Sequence, residues 1–376
     1  MMENEIASQI AMPSNPLFST FRNKTLSLEN RIVMAPMTRS KSPGGVPTEE
    51  VAAYYRRRAQ GGVGLIITEG TTINRPGASN DTDIPNFHTP ESLAGWERVV
   101  REVHAAGGKI APQLWHMGMA RTKGSGPHPG SPSEGPSGLS AAGEQESAPM
   151  SDADIADTID AFANAAAQAK EIGFDAIELH GAHGYLLDQF FWARSNRRTD
   201  RHGGDIAGRT RFASEVVRTV RQRVGADFNI IFRISQWKQQ DYSARLATSP
   251  SDLSALLEPL ALAGVDIFHC STRRFWEAEF DGSSLNLAGW AKKITGKPTI
   301  TVGSVGLKGS DFIHAFKGEG ATVSDLGELE SRLNRDEFDL VAVGRALIAD
   351  ADWPTKVRQK KFSEMVPFDP AALATL

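Results

Sequence analysis

The chain has 376 residues, of which 40% are hydrophobic and 23% are charged, a composition typical of a soluble globular protein. Its formal net charge of −4 provides no general attraction for nucleic acid. The single cysteine excludes an internal disulfide and a cysteine-built zinc or iron–sulfur site within one chain, which points to a reducing compartment.

Two further features of the sequence bear on cellular location. No apolar run approaches the roughly 18 residues that a membrane-spanning helix needs. The acidic start Met1-Met-Glu-Asn-Glu5 lacks the charged-then-apolar pattern of a secretory signal. We therefore expect a cytoplasmic protein without a membrane-spanning segment.

Short runs rich in Val, Ile and Phe recur along the chain and are typical of strands that are covered on both faces. They predict strands at residues 31–35, 63–68, 109–114, 174–179, 229–234, 265–270, 299–302 and 340–343. The intervening segments predict helices at residues 48–60, 92–106, 152–172, 210–224, 250–263 and 285–294. Ser151 and Ser249-Pro250 supply N-terminal cap signals for two of these helices. Cys270, in the sixth strand, is expected to be a small buried apolar residue rather than a nucleophile.

The alternation of strands with helices predicts a parallel sheet, and this number of strands in one unit predicts a closed (β/α)8 barrel, the TIM barrel. A doubly wound sheet is the weaker alternative, because no G-x-G-x-x-G links a first strand to a helix. Residues 17–28 predict a β-hairpin that turns at Arg22-Asn-Lys24 and plugs the bottom of the barrel. The eighth helix, within residues 344–350, is short. We expect residues 1–376 to form this one domain.

One long insertion interrupts the alternation. Residues 118–150 are rich in Gly, Pro and Ser and join the third strand to the third helix. In a barrel this connection lies on the C-terminal face, where active sites are built. A loop of this length is usually functional or disordered, and we expect it to form a lid over the site.

The most informative motif is His180-Gly-Ala-His-Gly-Tyr185, which directly follows the fourth predicted strand. Two imidazoles can hold one polar oxygen while the phenol of Tyr185 offers a proton to a neighbouring atom. The same histidines could instead bind a metal ion or be satisfied core residues. Their place after a barrel strand, beside a tyrosine, favours a functional role.

Other polar residues and glycines also follow the predicted strands, and in a barrel they share one face. Thr38, Gln113 and Arg233 offer hydroxyl, amide and guanidinium groups, a mixture that suits a flat polar heterocycle. Glycines after the seventh and eighth strands expose backbone N–H groups where barrels commonly bind phosphate. Arg345 can add a charge-assisted hydrogen bond to that phosphate. A structural ion pair is the alternative role for Arg233.

Several of these strand ends carry longer sequence pieces. In order, they are Ala35-Pro-Met-Thr-Arg39, Thr68-Glu-Gly70, Gln113-Leu-Trp115, the run from His180 to Phe190, Ser195-Asn-x-Arg-x-Asp200, Phe232-Arg-Ile-Ser235, Val302-Gly-Ser304 and Val343-Gly-Arg345. Together they resemble the Old Yellow Enzyme family of FMN-containing, NAD(P)H-dependent ene-reductases. The resemblance runs from about residue 17 to residue 354, nearly the whole chain. Thr38 stands where a thermophilic-like branch carries Cys, which favours the classical branch.

The resemblance implies FMN as the cofactor and NADPH or NADH as the hydride donor. Thr38 would hydrogen-bond the flavin O4, Gln113 would bind the pyrimidine edge, and Arg233 would bind the N1/O2 side. The backbone of Pro36, Met37 and Gly70 would lie against the flavin ring. The phosphate would be bound by Gly303, Ser304, Gly344 and Arg345.

On the substrate side, the resemblance implies that His180 and His183 bind the carbonyl oxygen and polarise the double bond, and that Tyr185 donates the proton. The residues implied to shape the substrate pocket are Trp115, Phe275 and Trp276. His183 stands where many members carry Asn, although His also occurs there in the family.

The expected function is therefore reduction of the activated C=C bond of an α,β-unsaturated carbonyl compound, with hydride transfer from flavin N5 and protonation by Tyr185. Two rivals stay open: a metal-dependent barrel hydrolase that uses His180 and His183, and a non-catalytic flavin-binding protein. The expected partners are small molecules, without nucleic acid, membrane or metal, and no oligomeric state is predicted.

Overall fold

Strands and helices alternate along the chain. A computed structural model describes residues 15–309, 312–315 and 317–376, so the acidic start at residues 1–5 lies outside the described residues. The strands are β1 (Phe21–Asn23), β2 (Leu26–Leu28), β3 (Ile32–Met34), β4 (Leu65–Thr72), β5 (Lys109–Trp115), β6 (Ala176–His183), β7 (Asn229–Lys238), β8 (Ile267–Ser271), β9 (Thr299–Val302), β10 (Leu307–Gly309), β11 (Ala321–Val323) and β12 (Leu340–Val343). The α-helices are α1 (Glu49–Gln60), α2 (Pro90–Ala105), α3 (Asp152–Glu171), α4 (Leu186–Phe191), α5 (Ile206–Val224), α6 (Pro250–Ala263), α7 (Leu287–Thr295), α8 (Phe312–Ala315), α9 (Gly327–Asn334), α10 (Arg345–Ala349) and α11 (Trp353–Arg358).

The parallel strands close into a barrel. Within the described ranges the order is β3-β4-β5-β6-β7-β8-β9-β12, and β12 pairs back onto β3. Successive residues of one strand serve the two faces: Leu65 and Ile67 pack inside the barrel, whereas Ile66 packs in the outer core beneath the helices. Cys270 on β8 is also fully buried in that outer core. The predicted (β/α)8 TIM barrel is confirmed, and each predicted strand corresponds to a barrel strand.

A short hairpin closes the bottom of the barrel, as predicted. Phe21, Leu26 and Leu28 belong to the same apolar cluster as the residues of the barrel interior. Lys24 Nζ lies 2.6 Å from a carboxylate oxygen of Asp266, next to the start of β8. The predicted bounds need one correction: the paired residues begin at Phe21, because residues Pro16–Phe18 form a 3-10 turn.

Three barrel strands extend four residues past their predicted ends. β4 continues past residue 68 to Thr72. β6 continues past residue 179 to His183, and β7 continues past residue 234 to Lys238. The register between β6 and β7 shifts between Gly181 and His183. Beyond this irregularity, His183 pairs with Lys238. These extensions carry polar residues and glycine, which the apolar-run criterion does not recognise. They lie at the C-terminal end of the barrel and shape the site there.

The caps of the helices follow the sequence signals. The Ser151 side chain accepts the N–H of Asp154, whose carboxylate in turn accepts the N–H of Ser151. The Ser249 side chain accepts the N–H of Asp252, with Pro250 in the first turn of α6. Both caps satisfy backbone donors that a helix start leaves without partners.

Candidate active site

A cavity of about 280 Å³ opens at the C-terminal ends of the barrel strands. Most of the residues singled out from the sequence line it, namely Pro36, Met37, Thr38, Gly70, Gln113, Trp115, His180, His183, Tyr185, Arg233, Gly303, Ser304, Gly344 and Arg345. They come from different strands, and they meet because parallel barrel strands all end on the same face.

One wall of the cavity is built by the turn that follows β6. The rings of His180 and His183 stand edge to face at 5.1 Å between centroids, and the ring of Tyr185 meets His180 edge-on at 5.0 Å. Trp115 packs edge-on against Tyr185 at 4.9 Å. Two imidazoles and a phenol therefore face one small volume.

Hydrogen bonds fix the orientation of both imidazoles. Nδ1 of His180 accepts the N–H of Ala182 at 3.4 Å, which places the proton of the neutral ring on Nε2. Nε2 of His183 lies 2.7 Å from Oγ of Ser271, a contact that sets its ring plane. Burial lowers the pKa of both histidines well below the usual value, and the nearby Arg233 guanidinium lowers it further. Both rings are therefore neutral hydrogen-bonding groups at neutral pH.

The phenol of Tyr185 is held in its protonated form. Burial raises its pKa to about 12, although a hydrogen bond with the Gln239 side chain acts in the opposite direction. A phenol with this pKa keeps its proton at neutral pH, and can transfer it only to a strongly basic atom. A developing carbanion is such an atom.

The neighbouring strands carry hydrogen-bond donors for a polar ring, and Arg233 on β7 pairs in register with His180. Arg233 is buried, and its Nε has no hydrogen-bond partner among the described residues. Behind it, the fully buried Glu178 accepts Nε2–H of Gln113 at 2.8 Å and lies 2.6 Å from Nδ1 of His269. Burial lowers the pKa of Arg233, and the charge of Glu178 opposes this shift. Glu178 thus orients the Gln113 amide and attracts the Arg233 guanidinium, so that both groups are available to a polar ring in the cavity.

Close backbone approaches complete the cradle. A Cβ at Gly70 would lie 2.8 Å from Cε3 of Trp115, and a Cβ at Gly303 would lie 2.7 Å from the carbonyl oxygen of Thr272. Gly303 also has a φ of +148°, which side-chain-bearing residues rarely adopt. The guanidinium of Arg345 lies over the ring of Phe368 at 5.4 Å. The donor set and the glycine-lined walls fit a flat heterocycle with a phosphate, as FMN requires.

The structure corrects one part of the predicted pocket. Phe275 and Trp276 are not among the described residues that line the cavity, and Trp276 is 40% exposed. Thr272 and Arg273 of the same loop line it instead, and the backbone N–H of Phe275 bonds the carbonyl of Gly303.

Sequence reasoning missed the contribution of the extended end of β7. Trp237 on β7 and Gln239, which directly follows β7, line the cavity together with Arg233. Side chains two residues apart on a strand share a face, so the alternation from Arg233 could have identified both. Trp237 packs on His183 with 4.5 Å between ring centroids. Phe368 and Leu373, near the end of the chain, also line the cavity, and no motif marks them.

The insertion at residues 118–150 borders a second cavity, of about 650 Å³, beside the first. Gly184 and Gln240 line this second cavity, directly next in sequence to Tyr185 and Gln239 of the first. Within the described parts of the chain, no residue of the insertion lines the first cavity. Its role as a lid stays a prediction.

The alternative of a metal-dependent hydrolase requires a set of metal ligands, and the described residues contain none. No group of three or more His, Cys, Asp and Glu side chains there is arranged to hold a metal ion. In the same part of the chain, no helix is long and apolar enough to cross a membrane.

The fold and the site define a flavin oxidoreductase built on a TIM barrel, and comparison with known proteins identifies the family. The model of the NADH:flavin oxidoreductase / NADH oxidase family matches residues 16–364. The chain therefore belongs to this family, to which Old Yellow Enzyme-type proteins are related in sequence and structure, and the resemblance inferred from the motifs is confirmed. Membership implies FMN as the cofactor.

Individual relatives resemble the chain over most of its length. An NADH oxidase from Thermoanaerobacter brockii is 34% identical over 93% of the chain, but the chain spans about half (52%) of that protein. Flavin oxidoreductase hxnT of Emericella nidulans is 32% identical, over 92% of the chain and 91% of the relative. 12-Oxophytodienoate reductase 2 of Arabidopsis thaliana is 31% identical, over 94% of the chain and 91% of the relative.

Solved structures show the same barrel. Morphinone reductase superimposes with a TM-score of 0.78 at 30% identity, covering 96% of this chain and 93% of that one. Old Yellow Enzyme from Pichia sp. AKU4542 also has a TM-score of 0.78, at 26% identity, covering 96% and 91% of the two chains.

Proposed function

We propose that this chain is an FMN-dependent ene-reductase that uses NADH or NADPH to reduce the activated C=C bond of α,β-unsaturated carbonyl compounds. The observation that carries the proposal is the grouping of two neutral imidazoles and one protonated phenol on a single wall of the cofactor cavity. Reduction of such a bond needs stabilisation of negative charge on an oxygen and a proton for the α-carbon. The names of two relatives, 12-oxophytodienoate reductase and morphinone reductase, also describe reductases.

His180 and His183 bind the carbonyl oxygen of the substrate in this proposal. The Nε2–H of His180 is available to an oxygen in the cavity, because Nδ1 is occupied by the N–H of Ala182. Negative charge that develops on the oxygen is stabilised by fixed N–H donors and by the nearby guanidinium of Arg233. Neither imidazole has to change its protonation state.

Tyr185 provides the proton for the α-carbon. Its phenol faces the same volume as the imidazoles and remains protonated, since burial raises its pKa to about 12. When bound, FMN would supply a hydride to the β-carbon and would be reduced again by NADH or NADPH. Since nicotinamide and substrate would use the same imidazole wall, we propose that they bind in turn, in a ping-pong cycle.

A visible spectrum followed by anaerobic titration with NADH, and separately with NADPH, tests the proposal. An ene-reductase is yellow, is bleached by at least one donor, and regains its colour when a simple enone is added. A non-catalytic flavin-binding protein would be yellow but would not bleach. A metal-dependent hydrolase would be colourless and would contain stoichiometric zinc.

Substitution of the proposed acid tests the division of labour in the site. Tyr185→Phe is expected to keep flavin reduction within about twofold of the wild-type rate, while enone reduction slows by about a hundredfold, as for the loss of a general acid. Stopped-flow absorbance measures the two half-reactions separately. Unchanged reoxidation by a simple enone would remove Tyr185 from the role of proton donor.

Two further expectations belong to this proposal. A cytoplasmic location is consistent with the single cysteine, whose thiol is buried. The segment at residues 118–150 would act as a lid on the C-terminal face, beside the substrate wall.

A further inference from the structure

The extension of β7 beyond its predicted end contacts the turn that carries Tyr185. After the register shift, Lys238 pairs with His183, at the last residue of β6. His183 and Gly184 both have positive φ angles, of 67° and 83°. A left-handed conformation is unfavourable for a side-chain-bearing residue, and it persists only where the surroundings impose it.

A buried ion pair lies directly behind this turn. Lys238 Nζ is 2.9 Å from Oδ1 and 2.8 Å from Oδ2 of Asp188, and both side chains are fully buried. The ammonium also donates to the carbonyls of Ser235 and Gln236, at 3.4 and 3.0 Å. These carbonyls belong to β7 itself, so Lys238 links the strand extension to Asp188.

Asp188 in turn contacts the backbone of the turn that carries Tyr185. Its Oδ2 accepts the N–H of Gly184 at 2.6 Å, immediately before Tyr185. Asp188 lies on α4, the helix for which Tyr185 is the N-terminal cap residue. The carboxylate therefore fixes the backbone on one side of Tyr185, while Gln239, next to Lys238, hydrogen-bonds its phenol on the other.

His183 has supports in addition to this pair. Its backbone N–H bonds Oγ of Ser235 at 2.9 Å, and its ring is held by Ser271 and Trp237. Loss of the ion pair would consequently displace Tyr185 more than the imidazole. A buried ion pair is weak evidence for stability, because desolvation offsets much of the attraction. The position of the Lys238–Asp188 pair behind the turn instead indicates a role in holding the conformation of that turn.

We propose that Lys238 and Asp188 are positioning residues that aim the Tyr185 phenol at the substrate's α-carbon. This inference rests on the proposed function, in which Tyr185 is the proton donor. It predicts that the pair affects the oxidative half-reaction, in which an enone is reduced, and does so only through Tyr185.

A double-mutant cycle between Lys238→Met and Tyr185→Phe tests the inference, with both half-reactions followed by stopped-flow absorbance on the FMN-loaded enzyme. Lys238→Met is expected to slow reoxidation by a simple enone by about tenfold or more, since small misplacements of a catalytic group reduce rates strongly. In the Tyr185→Phe background the same substitution is expected to change that rate by less than about twofold, because groups that act as a unit are not additive. Lys238→Arg keeps the cation and is expected to restore most of the rate.

Asp266→Asn is the control, because the buried Asp266 forms ion pairs with the partly exposed Lys24 and Arg221 at the opposite end of the barrel. It is expected to lower stability without selectively slowing reoxidation. If Lys238→Met does not fold, Asp188→Asn replaces it in the same cycle, since it removes the charge that pairs with Lys238 while keeping a side chain of the same size.

Three results would overturn the positioning role. In the first, Lys238→Met leaves reoxidation unchanged while Tyr185→Phe slows it. In the second, the rate losses of Lys238→Met and Tyr185→Phe are additive in the double variant. In the third, the Asp266→Asn control slows reoxidation as much as Lys238→Met does. Full activity of Tyr185→Phe alone is distinguishable from these, since it refutes the proton-donor assignment in the proposed function itself.

Discussion

Replacement of Glu69 by glutamine is expected to remove a pH dependence of folding stability. Glu69 follows the β4 residue Thr68, is 1% exposed, and its Oε2 accepts the N–H groups of Arg39 and Ser40 at 2.8 and 3.2 Å. Its Oε1 has no hydrogen-bond partner among the described residues. The carboxylate thus anchors the backbone that directly follows Thr38 at the flavin cradle, in a site that disfavours its charge.

Burial raises the pKa of Glu69 to about 7, although the two backbone N–H donors act in the opposite direction. In the unfolded chain the carboxyl titrates near its ordinary value of about 4.3, so between these values the folded state holds a proton that the unfolded state has released. The resulting stability is fully present below the unfolded pKa and is lost as the pH rises through the folded one. With about 1.4 kcal/mol per pKa unit, the loss between about pH 5 and pH 8 amounts to about 2 to 3 kcal/mol.

Urea unfolding of wild type and Glu69→Gln across this pH range measures the effect, with the free energy of unfolding compared at each pH. Groups that titrate in both proteins cancel in the difference, so the variant should gain on wild type by that amount as the pH rises. Parallel curves for the two proteins would refute the reasoning, because they would mean that Glu69 titrates alike in folded and unfolded chains.

Two more substitutions test other parts of the structure. Gly70→Ala is expected to weaken FMN binding by about tenfold or more, because the new Cβ would lie 2.8 Å from Trp115, and both residues line the cavity, so its wall must shift. Quenching of flavin fluorescence measures this, and unchanged affinity would contradict it. Leu26→Ala is expected to destabilise the protein by about 2 to 5 kcal/mol, because its side chain is 1% exposed in the plug at the barrel bottom. The flavin spectrum should not change, since the plug and the cavity lie at opposite ends. A loss below about 1 kcal/mol would mean that the plug is not packed as a core.

The barrel was predictable because each strand buries both faces and reads as a continuous apolar run. The same criterion missed the ends of β4, β6 and β7. The pairing of β6 with β7 continues through Gly181 and, beyond the register shift, joins His183 to Lys238. The apolar-run criterion also missed the antiparallel pair β10–β11, whose members, Leu307–Gly309 and Ala321–Val323, have only three residues each. Short paired segments carry too few residues for a periodic signal.

The candidate site was predictable where it depends on strand ends, since barrel topology brings those residues to one face. It was not predictable where it depends on loop geometry. Phe275 and Trp276 follow β8 closely, yet they do not line the cavity. Thr272 of the same loop lines it instead, and the N–H of Phe275 bonds the carbonyl of Gly303, which follows β9. The Lys238–Asp188 pair joins residues 50 positions apart, and no local pattern specifies such a contact.

The burial of Cys270 has a consequence for an enzyme of this proposed class. Compounds with a double bond conjugated to a carbonyl alkylate thiolates by conjugate addition. A protein that binds such compounds can therefore be modified at any accessible cysteine. The only cysteine of this chain is fully buried on β8, and burial raises its pKa well above the usual value. Its sulfur is therefore both uncharged and out of reach. Under the proposed function, the electrophiles that the enzyme reduces would therefore meet no accessible thiolate of this chain.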